Sequence, residues 1–299
     1  MPKGQIRKAL SGFYYVLDED GQRYIQCRGR GVFRNRQITP LVGDYVDYKA
    51  ENNDLEGTIL HVYERKNELV RPPISNVDQA ILVFSAKQPD FHPLLLDRFL
   101  TAIESHSIQP IICLTKMDLL KEAEKDKIQR YVADYEKIGY EVIPTFIDDP
   151  ALKDRLMPVL EGKISVLAGQ SGVGKSTLLN TILPSLELKT DDISKALNRG
   201  KHTTRHVELI AVNNGLLADT PGFSSFDFET IEREELSACF PEFAARSNDC
   251  KFRECLHMNE PKCAIKAAVE ANEIPDYRYK HYLKFLEEIM SRKPRYSND

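Results

Sequence analysis

The sequence predicts a multidomain chain with three folded units: a small N-terminal β-barrel, a central α/β unit on a largely parallel sheet, and a helical, cysteine-bearing C-terminal part. Three observations carry that reading. Residues 12–66 hold short strand segments broken by polar turns. From about Arg71 onward, apolar strand runs alternate with segments of helical period. The last 70 or so residues lose the strand runs and gather Cys250, Cys255 and Cys263. The boundaries follow as 1–68, 69–226 and 227–299.

In the first unit, FYYVL is followed by the turn Asp18-Glu19-Asp20-Gly21 and by RYIQCRGRGVF. DYVDYKA, the polar turn Glu51-Asn52-Asn53-Asp54 and EGTILHVYE complete it. Strands at this spacing close into a small barrel. With excess arginine on its strands, such a barrel is a platform for single-stranded nucleic acid; an SH3-like or purely structural module has the same pattern. In the central unit, AILVFSA (80–86), PIICLTK (110–116), YEVIPTFI (140–147) and KISVLAG (163–169) read as buried strands. Helices over 93–107, 122–138 and 150–161 separate them. Repeated βα units give a parallel sheet covered on both faces, and ligands bind such sheets at the carboxyl ends of the strands.

Composition excludes several classes. No run approaches the ~18 apolar residues of a membrane span, and the N-terminus lacks the apolar core of a signal peptide. A cytoplasmic protein with no membrane partner is therefore expected. There the six cysteines stay reduced, and where they cluster, metal ligation is favoured over disulfides. The net charge of −4 gives no general reason for nucleic-acid binding, but its distribution is uneven. Residues 1–40 carry eight Lys/Arg against three acids, and Arg278 to Arg295 is again basic and interleaved with Tyr277, Tyr279 and Tyr282. Those ends suit a polyanion, or are simply solvated charged surface.

The motifs fall at strand ends. Gly169-Gln170-Ser171-Gly172-Val173-Gly174-Lys175-Ser176 fits the phosphate-binding loop G-x-x-x-x-G-K-[ST], after a strand and before the helix STLLNTIL. Glycines let backbone N–H groups converge on phosphate oxygens, and the helix dipole adds to the field. Lys175 is placed to reach the β- and γ-phosphates and Ser176 to ligate Mg²⁺. Thr115-Lys116-Met117-Asp118 ends a strand and fits [NT]-K-x-D. A carboxylate there accepts from two guanine donors that adenine lacks, although a lone tetrapeptide is also consistent with an ordinary turn. Asp219-Thr220-Pro221-Gly222 fits D-x-x-G, with Asp219 toward Mg²⁺ and the Gly222 N–H toward the γ-phosphate. Between these lies a polar stretch, expected to be mobile, in which Thr203 or Thr204 can complete the magnesium shell. Together the motifs predict a protein that binds GTP and GDP, with the guanine loop displaced to the front of the chain. Rotating that order preserves the site, because neighbours in a sheet need not be neighbours in the chain.

The tail holds Cys250-x4-Cys255-x-His257-x5-Cys263. Three thiolates and an imidazole suit one closed tetrahedral Zn²⁺ of structural type; buried cysteines beside a surface histidine are the alternative. Two rival functions are an ATP-dependent P-loop enzyme, which the T-K-M-D motif opposes, and an RNA-binding scaffold that holds GTP without turning it over.

With the barrel, the rotated motifs and the Cys-Cys-His-Cys tail in this order, the chain resembles the ribosome small-subunit-dependent, circularly permuted GTPases of the RsgA/YjeQ/YloQ family. The resemblance spans all three units and includes the loop 169–177 (G-x-S-G-V-G-K-S-T, ending at Thr177) and GKHTT (200–204). It implies an OB-type barrel, a zinc domain, a monomer, and a GTPase whose ends grip the small ribosomal subunit and its rRNA. Phe223 follows D-x-x-G where Ras-like proteins carry a water-orienting glutamine, so the resemblance points to His202 as the catalytic group. Gly172 stands where potassium-activated relatives carry asparagine. Thr145-Phe146-Ile147, where a guanine-edge loop should fall, departs from the common S-A-x form.

Overall fold

The computed structural model describes residues 1–29, 33, 38–50, 55–183, 207–219, 228 and 231–292, with the Asp219 side chain excepted. His202, Thr203, Thr204, Gly222 and Phe223 lie outside the described residues.

The barrel has five strands: β1 (Lys3–Leu10), β2 (Phe13–Asp18), β3 (Tyr24–Gly29), β4 (Tyr45–Ala50) and β5 (Glu56–Val62). They pair in the order β1-β2-β3-β5-β4, and β4 returns to β1. This closure removes the exposed edges and is the OB-type arrangement. Alternate residues fill the interior: Ile6, Val16, Ile25, Cys27, Val46, Tyr48 and Ile59 are all buried. The sequence pattern did not disclose β1. KGQIRKAL has three cations around a single fully buried Ile6, so no apolar alternation marks it. Pairing on both flanks makes it a strand.

A short link of two strands, β6 (Glu68–Leu69) and β7 (Ile74–Ser75), leads into the central unit. That unit contains β8 (Gln79–Ser85), α1 (Pro93–Glu104), β9 (Gln109–Thr115), α2 (Glu122–Ile138), β10 (Glu141–Pro144) and α3 (Leu152–Leu160). It continues with β11 (Ile164–Ala168), α4 (Lys175–Ile182), β12 (Val207–Val212) and β13 (Gly215–Asp219). The order β10-β9-β8-β11-β13 is parallel throughout. Next, β12 lies antiparallel to β13 and is itself paired with β1 of the barrel. Sheet and barrel thus form one continuous 11-stranded surface. One apolar cluster runs from the barrel interior under α1 and α2, and a second fills the opposite face under α3 and α4.

The C-terminal unit is helical, with α5 (Pro241–Ala244), α6 (Ala264–Glu270) and α7 (Asp276–Met290) around Phe240, Phe243, Tyr282 and Phe285. It is fastened to α1 by a buried network. Asp97 accepts from Arg278 Nη1 at 2.6 Å, Tyr135 Oη at 2.7 Å and His281 Nδ1 at 2.5 Å. Arg278 donates through Nε and Nη2 to Glu242 at 2.7 and 3.1 Å. No described helix is long and apolar enough to cross a membrane.

Candidate functional site

The strand ends bring the guanine-type motif and the phosphate-type loop together. β9 and β11 flank β8, and their carboxyl ends carry Thr115 and Ala168. Gly169 begins the loop with φ +147°, and a Cβ there would stand 2.2 Å from the Val83 carbonyl oxygen, so only glycine fits so close to β8. Val173 turns inward and is buried in the core, which holds the middle of the loop against the sheet. Gly174, at φ +99°, then opens α4. Lys175 folds back over the loop, and Nζ donates to the carbonyls of Gly169 and Gln170 at 2.7 and 2.5 Å. Burial holds its ammonium below the usual lysine pKa. Ser176 is half-buried beside it, and Ser171, Gly172 and Thr177 are exposed.

Two side chains of the tetrapeptide are tied directly to this loop. The Thr115 hydroxyl bonds the carbonyls of Val173 at 2.5 Å and Phe84 at 3.2 Å. Lys116, in the left-handed conformation at φ +58°, donates to the Gly172 carbonyl at 2.6 Å and to the Gln88 carbonyl. Met117 and Asp118 lie in a 3-10 turn, Met117–Leu119, with Asp118 exposed. A chance tetrapeptide at a strand end has no reason to bond a loop 56 residues away.

The segment after β10 completes this corner. Thr145 N–H donates to Leu114 at 2.8 Å, and Met117 N–H donates to the Thr145 carbonyl at 3.2 Å. Asp149 organises the turn by accepting from Thr145 Oγ1 at 3.0 Å and pairing with Arg155, which also donates to the Pro144 carbonyl at 2.6 Å. A cavity of about 110 Å³ is lined by Thr115, Lys116, Phe146, Ile147, Gly174 and Thr177 among others. Phe146 and Ile147 fall where the sequence puts the guanine-edge loop, although their departure from S-A-x gives neither a particular contact. The available signal was an apolar pair left exposed, at 47% and 67%, directly after a buried strand.

Asp219 ends β13, one strand from β11, so its backbone lies on the same edge as Gly169. The other residues of D-x-x-G and the 200–204 stretch lie outside the described residues.

The four tail residues converge. The ligand atoms of Cys250, Cys255, His257 and Cys263 all lie within 4.8 Å of one another. His257 Nδ1 is 3.7 Å from Cys250 Sγ and 3.4 Å from Cys263 Sγ, and the two sulfurs are 4.0 Å apart. Its Nε2 contacts the Ser237 hydroxyl at 2.8 Å, which orients the ring with Nδ1 toward the sulfurs. The Tyr279 hydroxyl holds the His257 carbonyl at 2.6 Å, and the Tyr282 hydroxyl holds that of Leu256 at 3.0 Å. The cluster is suited to a metal ion.

A parallel sheet with a phosphate loop after β11 and a guanine motif after β9, upstream of it in the chain, defines a circularly permuted P-loop GTPase. Comparison with known proteins agrees. Residues 62–229 match the RsgA GTPase family and residues 3–59 the RsgA N-terminal domain. The chain is 62% identical over 296 residues to the small ribosomal subunit biogenesis GTPase RsgA of Bacillus cereus, covering 99% of this chain and 100% of that one. It is 60% identical over 299 residues to the protein of the same name from Bacillus subtilis, with the same coverage. Among solved structures it matches YloQ, described as a circularly permuted GTPase, with a TM-score of 0.85, 56% identity, and coverage of 99% and 97% of the two chains. It matches YjeQ from Thermotoga maritima with a TM-score of 0.85, 35% identity, and coverage of 98% and 99%. The chain belongs to the RsgA family of GTPases.

Proposed function

We propose that this GTPase binds the small ribosomal subunit through its rRNA and hydrolyses GTP there during late maturation of the subunit, as a cytoplasmic monomer of three units (1–68, 69–226, 227–299). The ribosomal target is supported by the near-complete coverage at 62% identity of proteins named for that role. The observation that carries the guanine reading is the pair of bonds from Thr115 and Lys116 to the phosphate loop. These fix the distance between the base-reading turn and the phosphate cradle, so one nucleotide spans both. Asp118 reads the guanine edge, the loop 169–177 wraps the phosphates, and Lys175 exchanges its carbonyl partners for phosphate oxygens. Ser176 and Asp219 hold Mg²⁺, Thr203 or Thr204 completes its shell, and the Gly222 N–H senses the γ-phosphate.

The tail ion in this reading is one structural Zn²⁺. Tetrahedral zinc with Zn–S bonds of about 2.3 Å needs sulfurs about 3.8 Å apart. The 4.0 Å between Cys250 and Cys263 supports that choice. Four protein ligands leave no open position for catalysis, so the ion shapes the unit that grips the subunit.

Phe223 cannot orient water, and His202 takes that role when the protein is docked on the subunit. GTP turnover measured with and without purified small subunits tests the proposal. Subunits should accelerate the wild type and leave His202→Ala slow at nearly unchanged GTP affinity. A wild type indifferent to subunits would refute the ribosomal role, and full stimulation of His202→Ala would refute the histidine.

A further inference from the structure

A cavity at the seam between barrel and central sheet holds more positive charge than its own residues neutralise. Arg7 sits where β1 stops pairing with β4, at Gln5, and begins pairing with β12, at Lys8. The register with β2 also slips there: Ile6 faces Val16 but Lys8 faces Tyr15, which leaves Arg7 as the extra residue of a β-bulge. Bulges re-aim a side chain and recur beside functional sites. The Arg7 Nε is buried and finds no hydrogen-bond partner among the described residues. No described carboxylate acts on the guanidinium; burial works against its charge, and only Tyr24 and Tyr45 favour it. A half-buried cation without a counter-charge is costly, and each such unsatisfied group requires an explanation.

Arg7 lines a cavity of about 500 Å³ whose wall is shared by both units. Tyr24 and Tyr45 come from the barrel, Lys163 from the amino end of β11, and Asn213 and Asn214 from the turn between β12 and β13. The cavity therefore lies at the opposite end of the sheet from the nucleotide loops. Arg7, Lys66 and Lys163 line it against one described carboxylate, Asp78. That carboxylate is already occupied by Lys66 at 2.8 Å and by the Ile164 N–H at 2.7 Å. Lys163 Nζ has neutral partners, the side-chain oxygens of Gln79 and Gln109 at 3.1 and 3.4 Å. Arg7 and Lys163 thus face one space with no described carboxylate left to neutralise them.

We propose that this cavity binds a small phosphomonoester, its phosphate held by Arg7 and its organic part lying toward Lys163. A planar guanidinium takes a phosphate through two parallel N–H···O bonds, which would satisfy the buried Nε. A monoester carries about two negative charges at neutral pH and so matches the two cations left without a carboxylate. A diester within a nucleic-acid strand carries a single charge and matches them less well. The volume suits a small molecule, since such ligands occupy cavities of about 300–1,000 Å³. Leu17, Leu209 and Leu216 supply an apolar lining for the part that carries no charge. Because Arg7 belongs to the barrel and Lys163 to the GTPase sheet, the bound molecule would bridge the two units. The inference goes beyond the ribosomal reading and does not depend on it.

The test uses full-length protein saturated with GDP and Mg²⁺, so that Lys175 of the phosphate loop is covered. Pyridoxal 5′-phosphate, a phosphomonoester that carries an aldehyde, is added, fixed on lysine with borohydride and located by peptide mass spectrometry. Lys163 or Lys66 should be labelled about 10-fold or more faster than by pyridoxal, which lacks the phosphate. Ribose 5-phosphate should protect these lysines, and ribose and succinate should not. Arg7→Met keeps the apolar stem and should bring labelling down to the pyridoxal rate. It should keep wild-type GDP affinity, since the cavity is remote from the nucleotide loops. Equal labelling by pyridoxal, or a wild-type rate in Arg7→Met, would overturn the proposal. So would protection by succinate, or by a uridine oligomer without a terminal phosphate, equal to that by ribose 5-phosphate. The competition arms need only the wild type, so they decide the question even if Arg7→Met fails to fold.

Discussion

Replacing Asp97 by asparagine should loosen the C-terminal unit from the GTPase core. Asp97 is fully buried on α1 and accepts from three donors, two of them on α7. Asparagine keeps the shape, removes the negative charge and turns an N–H toward one of those donors. Breaking a buried ion pair by removing one partner costs about 3–5 kcal/mol. The lower end applies here, because Arg278 retains Glu242 at 2.7 Å and is not left without a counter-charge. At about 2–4 °C per kcal/mol for a unit of this size, the loss corresponds to a melting shift of about 6–12 °C. Arg278→Met should be worse, since it strands the Asp97 and Glu242 carboxylates together in the interior. Thermal unfolding followed by near-UV circular dichroism gives the shift. Hydrogen exchange should place the first opening at α7 (Asp276–Met290) while β8 and β9 stay protected. A shift below about 2 °C for Asp97→Asn, or a milder effect from Arg278→Met, would refute the view that this network fastens the two units.

Four further outcomes follow from the geometry. Asp118→Asn should weaken GTP and GDP binding and admit xanthine nucleotides, measured by competition; wild-type protein with equal affinity for ATP and GTP would remove the basis of that reading. Gly169→Ala places a methyl 2.2 Å from the Val83 carbonyl and should reduce nucleotide affinity about 100-fold or more by displacing the loop. Gly174→Ala meets Thr115 only at 3.6 Å but still forces a side chain to φ +99°, so it should cost less than Gly169→Ala without being neutral, and the opposite order in a binding titration would discredit the close-approach argument. Metal analysis should find about one zinc per chain, and Cys255→Ser should unfold the tail while nucleotide binding persists; a folded, metal-free wild type contradicts the site. Burial pushes the Glu104 carboxyl up to about 7. Its contribution to stability is therefore full below about pH 4.5 and lost as pH rises through about 7. Glu104→Gln should then gain on the wild type in denaturant titrations at pH 8 and not at pH 5, and a gap that stays constant between them would contradict the assignment.

Chemistry that depends on short stretches of chain was legible in the sequence. The phosphate loop, the guanine tetrapeptide and the cysteine–histidine run each confine their ligands to about a dozen residues, so spacing alone indicates what they can hold. The helix over 122–138 was legible for a related reason, since its period repeats for several turns without needing a partner. What the sequence left open depends on contacts between residues far apart in the chain. β1 looks like a charged tail until β2, β4 and β12 supply hydrogen bonds on both of its edges. Phe146 and Ile147 gain a place only because β10 lies beside β9. Arg7 is one more cation in a basic segment until a bulge turns it into the seam between barrel and sheet. Local periodicity and motif spacing are properties of neighbouring residues and survive in one dimension. Register, domain seams and the burial of single charges arise only when distant segments pair, and the tertiary structure decided them.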